Sequence, residues 1–207
     1  MSNIPGIVLA GGKSSRMGRP KALLPIGPTG ETFFDRVTRT LLDAGVDDIV
    51  VVVGADAEAI RAGVGKPPAS VRIIDNPDYE QGQLTSLLAG LRAIDMAEAS
   101  AALVTLIDVP LVSAATVRRL IAVQHERGAP IVRPVSSGRH GHPVIFGRQL
   151  FNELRRADPA YGAKPVVRAH AAEMIEVPID DEGAFTDIDT REDYERVIGA
   201  AFPASKV

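Results

Sequence analysis

The sequence predicts an α/β domain on a mainly parallel, partly mixed sheet. Three observations carry this. Four short runs are largely apolar instead of alternating, the pattern of strands buried on both faces of a parallel sheet. Stretches with apolar residues three and four apart, the helical period, lie between them. Later, two further apolar runs flank a short turn and bring in antiparallel pairing. Strands alternating with helices imply parallel pairing through right-handed crossovers.

The elements follow in order. Run 7–10 (Ile-Val-Leu-Ala) is apolar and stops at two glycines. Phe33, Phe34, Val37, Leu41 and Leu42 mark a helix that Gly45 ends. Run 48–54 holds four consecutive valines after Ile49 and is the strongest strand. Segment 63–70 is rich in Gly and Pro but short, so it reads as a loop and not a domain boundary. Run 71–75 is the third strand, Leu87, Leu88 and Leu91 define a helix within 85–96, and run 102–107 is the fourth strand. Ser113 is a good N-cap for a helix carrying Val117, Leu120, Ile121 and Val123, closed by Gly128. Runs 131–135 and 143–146 flank the turn 136–142 as a hairpin, followed by a helix at 151–156 and a short strand at 174–177. A last helix, 191–201, is entered from Thr190. With neither an internal repeat nor a long linker, 1–207 reads as one domain.

Composition excludes several classes. Hydrophobic residues are 45% and charged ones 24%, which fits a globular chain and argues against disorder, collagen and coiled coil. The net charge of −3 offers no excess of cations for a nucleic-acid backbone, and aromatics at 4% with no Trp leave little for base stacking. No nucleic-acid partner is expected. The absence of Cys rules out disulfides, thiolate zinc, iron–sulfur clusters and a cysteine nucleophile. Residues 1–5 show no secretory pattern, and no apolar run approaches the roughly 18 residues of a membrane span. The expected location is the cytoplasm, away from membranes.

Five segments carry chemistry. The first, Leu9-Ala10-Gly11-Gly12-Lys13-Ser14-Ser15-Arg16-Met17-Gly18-Arg19-Pro20-Lys21, follows the first strand and gathers glycines, hydroxyls and cations into one loop. Glycines let backbone N–H groups approach an anion and the cations supply charge, which suits a polyphosphate at the carboxyl end of a parallel strand. Neither the Walker A pattern nor the G-x-G-x-x-G dinucleotide fingerprint is present. In the second, Leu106-Ile107-Asp108-Val109-Pro110, an aspartate ends a buried strand at the same sheet edge. A carboxylate there can hold Mg²⁺ against phosphates, or it can cap the following turn. The third, Gly82-Gln83-Leu84-Thr85-Ser86, opens a helix whose free N–H groups and hydroxyls can hold an anion or a base edge, and would look the same as an ordinary cap. In the fourth, Arg139-His140-Gly141-His142-Pro143, the histidine spacing is no zinc signature; the turn contributes His142 and backbone groups to a pocket, or is purely structural. The fifth, Asp187-Ile188-Asp189-Thr190-Arg191-Glu192-Asp193, contains a capping pattern from Thr190 to Asp193. Asp187 and Asp189 share one face of the extended piece before it, and one of them could be a second metal ligand.

Together these segments resemble the nucleotidyltransferases of molybdenum-cofactor maturation, the MocA/MobA-like group, with a three-layer, Rossmann-like GT-A type fold. The resemblance runs from Ile7 to Tyr194 in motif order and spacing. LAGGKSSRMGRPK is its most specific part, and its Leu-Ala-Gly-Gly start resembles the guanylyltransferase branch. GQLTSLLAGL and RHGHPVIFGR look more like the cytidylyltransferase branch, and DIDTREDY resembles the closing motif. Asp108 lies between Ile107 and Val109, where relatives more often have Gly-Asp-Gln-Pro.

The resemblance implies transfer of CMP or GMP from CTP or GTP to a phosphorylated molybdopterin-type cofactor, with Mg²⁺ as cofactor and pyrophosphate released. Leu9, Ala10, Gly11 and Gly12 would hold base and ribose, Arg16 and Lys21 the phosphates. Asp108 would carry the metal, assisted by Asp189 or Asp187. The acceptor would lie toward Gln83, Thr85, Ser86, Gly141 and His142, and a molybdoenzyme or its chaperone would receive the product. Two other readings stand beside it: another small phosphorylated acceptor, or a non-catalytic nucleotide-binding chaperone that inserts cofactor.

Overall fold

The computed structural model describes residues 3–94 and 98–203. Met1, at the start of the segment read for a leader, and Met96, at the expected end of one helix, lie outside the described residues. Strands β1 (Gly6–Ala10), β2 (Ile49–Val53), β3 (Val71–Asp75) and β4 (Ala101–Leu106) are all parallel neighbours, in the order β3-β2-β1-β4. Val8 lies opposite Val51 and Thr105, so β1 runs through the middle of this half. The other half is mixed. β5 (Ile131–Ser136) and β6 (Arg139–His140) form a tight hairpin, and β7 (Val144–Gly147) enters antiparallel between β4 and β5. β8 (Ile175–Pro178) closes that end, parallel to β5.

Helices cover both faces because the apolar strands have two sides to bury. Val8, Ala10 and Val51 face a cluster with Phe33, Phe34 and Leu41 of α1 (Phe33–Asp43), Ile60 of α2 (Ala57–Val64), Val117 and Leu120 of α4 (Ala114–Arg127), and Tyr194 of α7 (Arg191–Ile198). Ile7, Leu9 and Val52 face Leu84, Leu87 and Leu91 of α3 (Gln83–Ala93), Phe151 and Leu154 of α5 (Phe151–Arg156), and Val166 of α6 (Lys164–Ala169). This is the three-layer α/β architecture with a mostly parallel, mixed sheet.

The differences from the sequence reading are local. The runs expected to flank one turn do pair, Ile131 with Phe146, but the turn itself holds β6, because Ser137 and Gly138 both adopt positive φ and reverse the chain in two residues. The last helix stops at Ile198, where Gly199 takes the left-handed conformation that ends helices. α2 and α6 are absent from the sequence reading since both are short and each fully buries a single apolar side chain, Ile60 or Val166, the other apolar residues being at most partly covered. No helix among the described residues is long and apolar enough to cross a membrane.

Asp181 ties the end of the chain to α4. Its Oδ2 accepts from Ser113 N at 2.9 Å and from Thr116 Oγ1 at 2.6 Å, and its Oδ1 from Gly183 N at 3.1 Å. Burial alone would raise its pKa, but these donors outweigh it and hold the carboxyl below its ordinary value. Asp181→Asn is expected to cost about 1–2 kcal/mol at pH 7, kept small by partial solvent exposure. That is a fall of roughly 2–8 °C in Tm for a chain of this size. Since the folded pKa is the lower one, this stabilisation is present above the unfolded value near 3.9 and fades as pH falls through the folded value. Melts of both proteins at pH 7 and pH 3 check it: an equal deficit at the two pH values would contradict the assignment.

Candidate active site

Parallel strands deliver their carboxyl ends to one edge, and the segments leaving β1, β2, β3 and β4 meet there. They enclose a cleft of about 330 Å³. Its floor is the loop after β1. Met17, fully buried, pins that loop, while Ser14 O accepts from Met17 N and Gly18 N. Ser14 Oγ accepts from Lys21 N at 3.2 Å and so fixes the root of the Lys21 side chain.

Two close backbone approaches shape the wall. A Cβ on Gly54 would lie 2.5 Å from Gly11 O and 2.7 Å from Tyr79 Cβ, and one on Gly11 would lie 2.8 Å from Ser86 Oγ. Only glycine lets the ends of β1 and β2 draw together beneath Tyr79. Ser86 Oγ and Thr85 Oγ1 accept from Asn76 Nδ2 at 3.0 and 2.8 Å, which knits the exit of β3 to the start of α3.

The charged centre is compact. Lys21 Nζ donates to Asp108 Oδ2 at 2.8 Å and to Asp189 Oδ1 at 2.5 Å, and Arg16 Nη2 reaches Asp189 Oδ2 at 3.1 Å. Burial would lower the Lys21 pKa, but the two carboxylates outweigh it and raise it. Asp189 is held below its ordinary value, chiefly by the Lys21 hydrogen bond. Segment 187–189 is aligned by Ile188, fully buried, whose N donates to Asp108 O at 2.8 Å. Asp187 is exposed, yet enough protein surrounds the carboxyl for desolvation, and then the Asp108 charge, to push it upward.

A second cavity of about 730 Å³ adjoins the first and shares Leu9, Gln83 and Leu106 with it. Leu84, Leu87, Val104 and Phe146 form apolar walls, and Arg133, Lys164 and Arg168 stand at its border. His142 lines it. Burial holds the imidazole below its usual pKa against the pull of Asp187 and Asp108, and Nδ1 has no hydrogen-bond partner.

Of the residues singled out in the sequence, Leu9, Ala10, Gly11, Gly12, Arg16, Lys21, Asp108 and Asp189 all border the first cleft. Gln83 stands at the junction and His142 in the second cavity. Ser86 lines the first cleft and not the second. Thr85 and Gly141 line neither. The Thr85 hydroxyl donates to the carbonyls of Asp78 and Gly82, and Gly141 is packed against Ala184 O. Asp187 does not complete a ligand set: among the described residues no three His, Cys, Asp or Glu groups converge as a metal site. Asp56 and Tyr79 line the cleft unforeseen, although each lies just past the carboxyl end of a predicted strand.

The donor set fits a divalent ion. Mg²⁺ commonly takes one or two protein carboxylates and fills its shell with phosphate oxygens and water. Asp108 and Asp189 are two such groups, and Asp108 Oδ1 is buried without a partner.

A glycine-rich cationic loop facing two carboxylates, and opening onto a second cavity, defines an α/β nucleotidyltransferase. The chain belongs to the MobA-like NTP transferase family, whose domain profile matches residues 6–174. It is 32% identical over 203 residues to a protein of Paenarthrobacter nicotinovorans named nicotine blue oxidoreductase, covering 94% of this chain and 96% of that one. It is 34% identical over 179 residues to a probable molybdenum cofactor guanylyltransferase of Mycobacterium avium, covering 84% and 86%. Rv0371c of Mycobacterium tuberculosis superposes with a TM-score of 0.81 at 30% identity, covering 96% and 98%. Its manganese complex gives 0.77 at 28%, covering 96% and 99%.

Proposed function

We propose that the protein transfers CMP or GMP from CTP or GTP to the phosphate of a molybdopterin-type cofactor, with Mg²⁺ bound by Asp108 and Asp189. The observation that carries this reading is the Lys21–Asp108–Asp189 cluster in a nucleotide-sized cleft that opens onto a second cavity. An acceptor phosphate oxygen would attack the α-phosphorus; the bond from that phosphorus to the bridging oxygen breaks, and pyrophosphate leaves with the electron pair. The nucleophile is already ionised, so no general base is required and positioning with charge neutralisation is the whole task.

Gly11 and Gly12 bring backbone close to the nucleotide, while Arg16 and Lys21 neutralise the triphosphate. The bound metal would act as Lewis acid and template. Gln83 orients the groups that meet at the junction. His142, held neutral by burial, lines the second cavity and would shape the acceptor's place there. The manganese complex of Rv0371c supports divalent-metal binding by this chain. The product then passes to a molybdoenzyme or its chaperone.

The relative named as an oxidoreductase favours a second reading, in which the cleft binds a reducing nucleotide cofactor. One panel separates the readings: ATP, GTP, CTP and UTP, each with Mg²⁺ and molybdopterin, read by pyrophosphate release and by thermal shift, with NADH and NADPH absorbance in parallel. A ligand at a hundred times its Kd adds about 2.7 kcal/mol, or roughly 5–11 °C here. The expected result is pyrophosphate and a dinucleotide cofactor from CTP or GTP. A nucleotide shift without turnover would favour the insertion chaperone, turnover on another phosphorylated acceptor alone would change the substrate, and loss of NADH absorbance with an added quinone-type two-electron acceptor, without pyrophosphate, would favour the oxidoreductase.

A further inference from the structure

Lys21 occupies the place where a metal would have to sit. Its ammonium bonds Asp108 and Asp189 at 2.8 and 2.5 Å, and its side chain is only 12% exposed. The root of the side chain is fixed, since Lys21 N donates to Ser14 Oγ and Lys21 O accepts from Leu24 N. Only the four-carbon arm is free to swing. A Mg²⁺ ion sits about 2.0–2.1 Å from its ligand oxygens, so one that bridges Asp108 Oδ2 and Asp189 Oδ1 would press against the ammonium that now contacts both, which leaves only the unpartnered Asp108 Oδ1 open to it.

From this geometry we infer that Lys21 is a positioning residue that holds the metal seat closed in the nucleotide-free protein and yields it when the triphosphate arrives. The inference rests on the reading of Asp108 and Asp189 as that seat. A free divalent ion that bridges the two carboxylates would have to expel Lys21 and deprive its ammonium of the two anions that now neutralise it, which is costly. A triphosphate removes that cost, because its oxygens give the displaced Lys21 new anionic partners. Arg16, now spent on Asp189 at 3.1 Å, is freed for the phosphates in the same step. Metal and nucleotide therefore bind cooperatively, and each tightens the other by the same factor.

The test uses the full chain and Mn²⁺ alone as probe, with free Mn²⁺ followed by its electron paramagnetic resonance signal and no nucleotide present. Lys21→Met should bind Mn²⁺ at least about tenfold more tightly than wild type. Lys21→Arg, which keeps the charge, should bind as weakly as wild type. Adding Asp108→Asn to Lys21→Met should abolish the gain and so locate the ion. A folded Lys21→Met that binds Mn²⁺ no tighter than wild type overturns the inference. Should that variant fail to fold, the wild type decides alone: after subtraction of the Mn²⁺ held by the analogue without protein, its Mn²⁺ affinity must rise at least about tenfold when a non-hydrolysable CTP or GTP analogue is added, and equal affinities overturn the inference. The two readings fail separately. Pyrophosphate release without a Lys21→Met gain removes the closed seat and keeps the transferase. A gain that Asp108→Asn abolishes, in a protein that turns over no NTP, does the reverse.

Discussion

Asp108→Asn is expected to lower the rate of nucleotidyl transfer by about 10³-fold, or roughly 4 kcal/mol of transition-state stabilisation, the scale on which a Lewis-acid metal acts. Asparagine keeps the shape at the end of β4, so packing around Ile107 and Val109 should persist. What goes is charge. Asp108 contributes a buried oxygen with no partner, Oδ1, and the Oδ2 that anchors Lys21. In the variant only Asp189 would be left to hold the proposed metal, and Lys21 loses one of its two anions. Stability should move little, because Lys21 keeps its bond to Asp189. Initial rates of pyrophosphate release at saturating NTP, alongside a thermal melt, give the comparison. A folded variant within tenfold of wild type would remove Asp108 from the metal seat.

How much of this site is legible in the sequence depends on where each residue sits relative to a strand. Asp108 is legible because it directly follows an apolar run, and in a parallel sheet that position opens onto the ligand edge. The loop from Leu9 to Lys21 is legible for the same reason, with its glycines and cations adding chemistry. The contact between Lys21 and Asp189 is not. The two are 168 residues apart, and their meeting depends on Ile188 docking beside Asp108, a packing event with no local signal.

The α3 entrance shows the opposite limit. Gln83, Thr85 and Ser86 look alike in sequence, since each is a polar residue in a first helical turn. Tertiary neighbours separate them. Asn76 engages Thr85 and Ser86, yet only Ser86 also faces Gly11 and the cleft. α2 and α6 are hidden because both are short, and one fully buried side chain per helix leaves little period to read. Asp56 and Lys164, which border the two cavities, go unnoticed with them.

Gly141 turns this distinction into a second large effect. Between two histidines it reads as a ligand contact, but its Cβ would lie 2.2 Å from Ala184 O and 2.8 Å from Phe185 Cδ1. The neighbouring His142 N donates to that same Ala184 O at 2.8 Å. The glycine is there so that two backbones can touch. Gly141→Ala must push the Glu182–Phe185 turn away, and a carbonyl held in a turn cannot rotate aside as a side-chain tip would. Overpacking against backbone plus the lost hydrogen bond should cost about 3 kcal/mol. For a chain of this length that is a Tm lower by roughly 6–12 °C. The damage should also reach the chemistry, since Asp189 lies four residues beyond that turn and its place beside Lys21 depends on where the turn sits. Turnover should therefore fall together with stability. Gly12→Ala is the contrasting variant, because a Cβ there meets nothing within 4 Å, and its Tm should match wild type. A Gly141→Ala protein that melts within 2 °C of wild type and binds molybdopterin poorly would restore Gly141 to the acceptor site and overturn the packing argument.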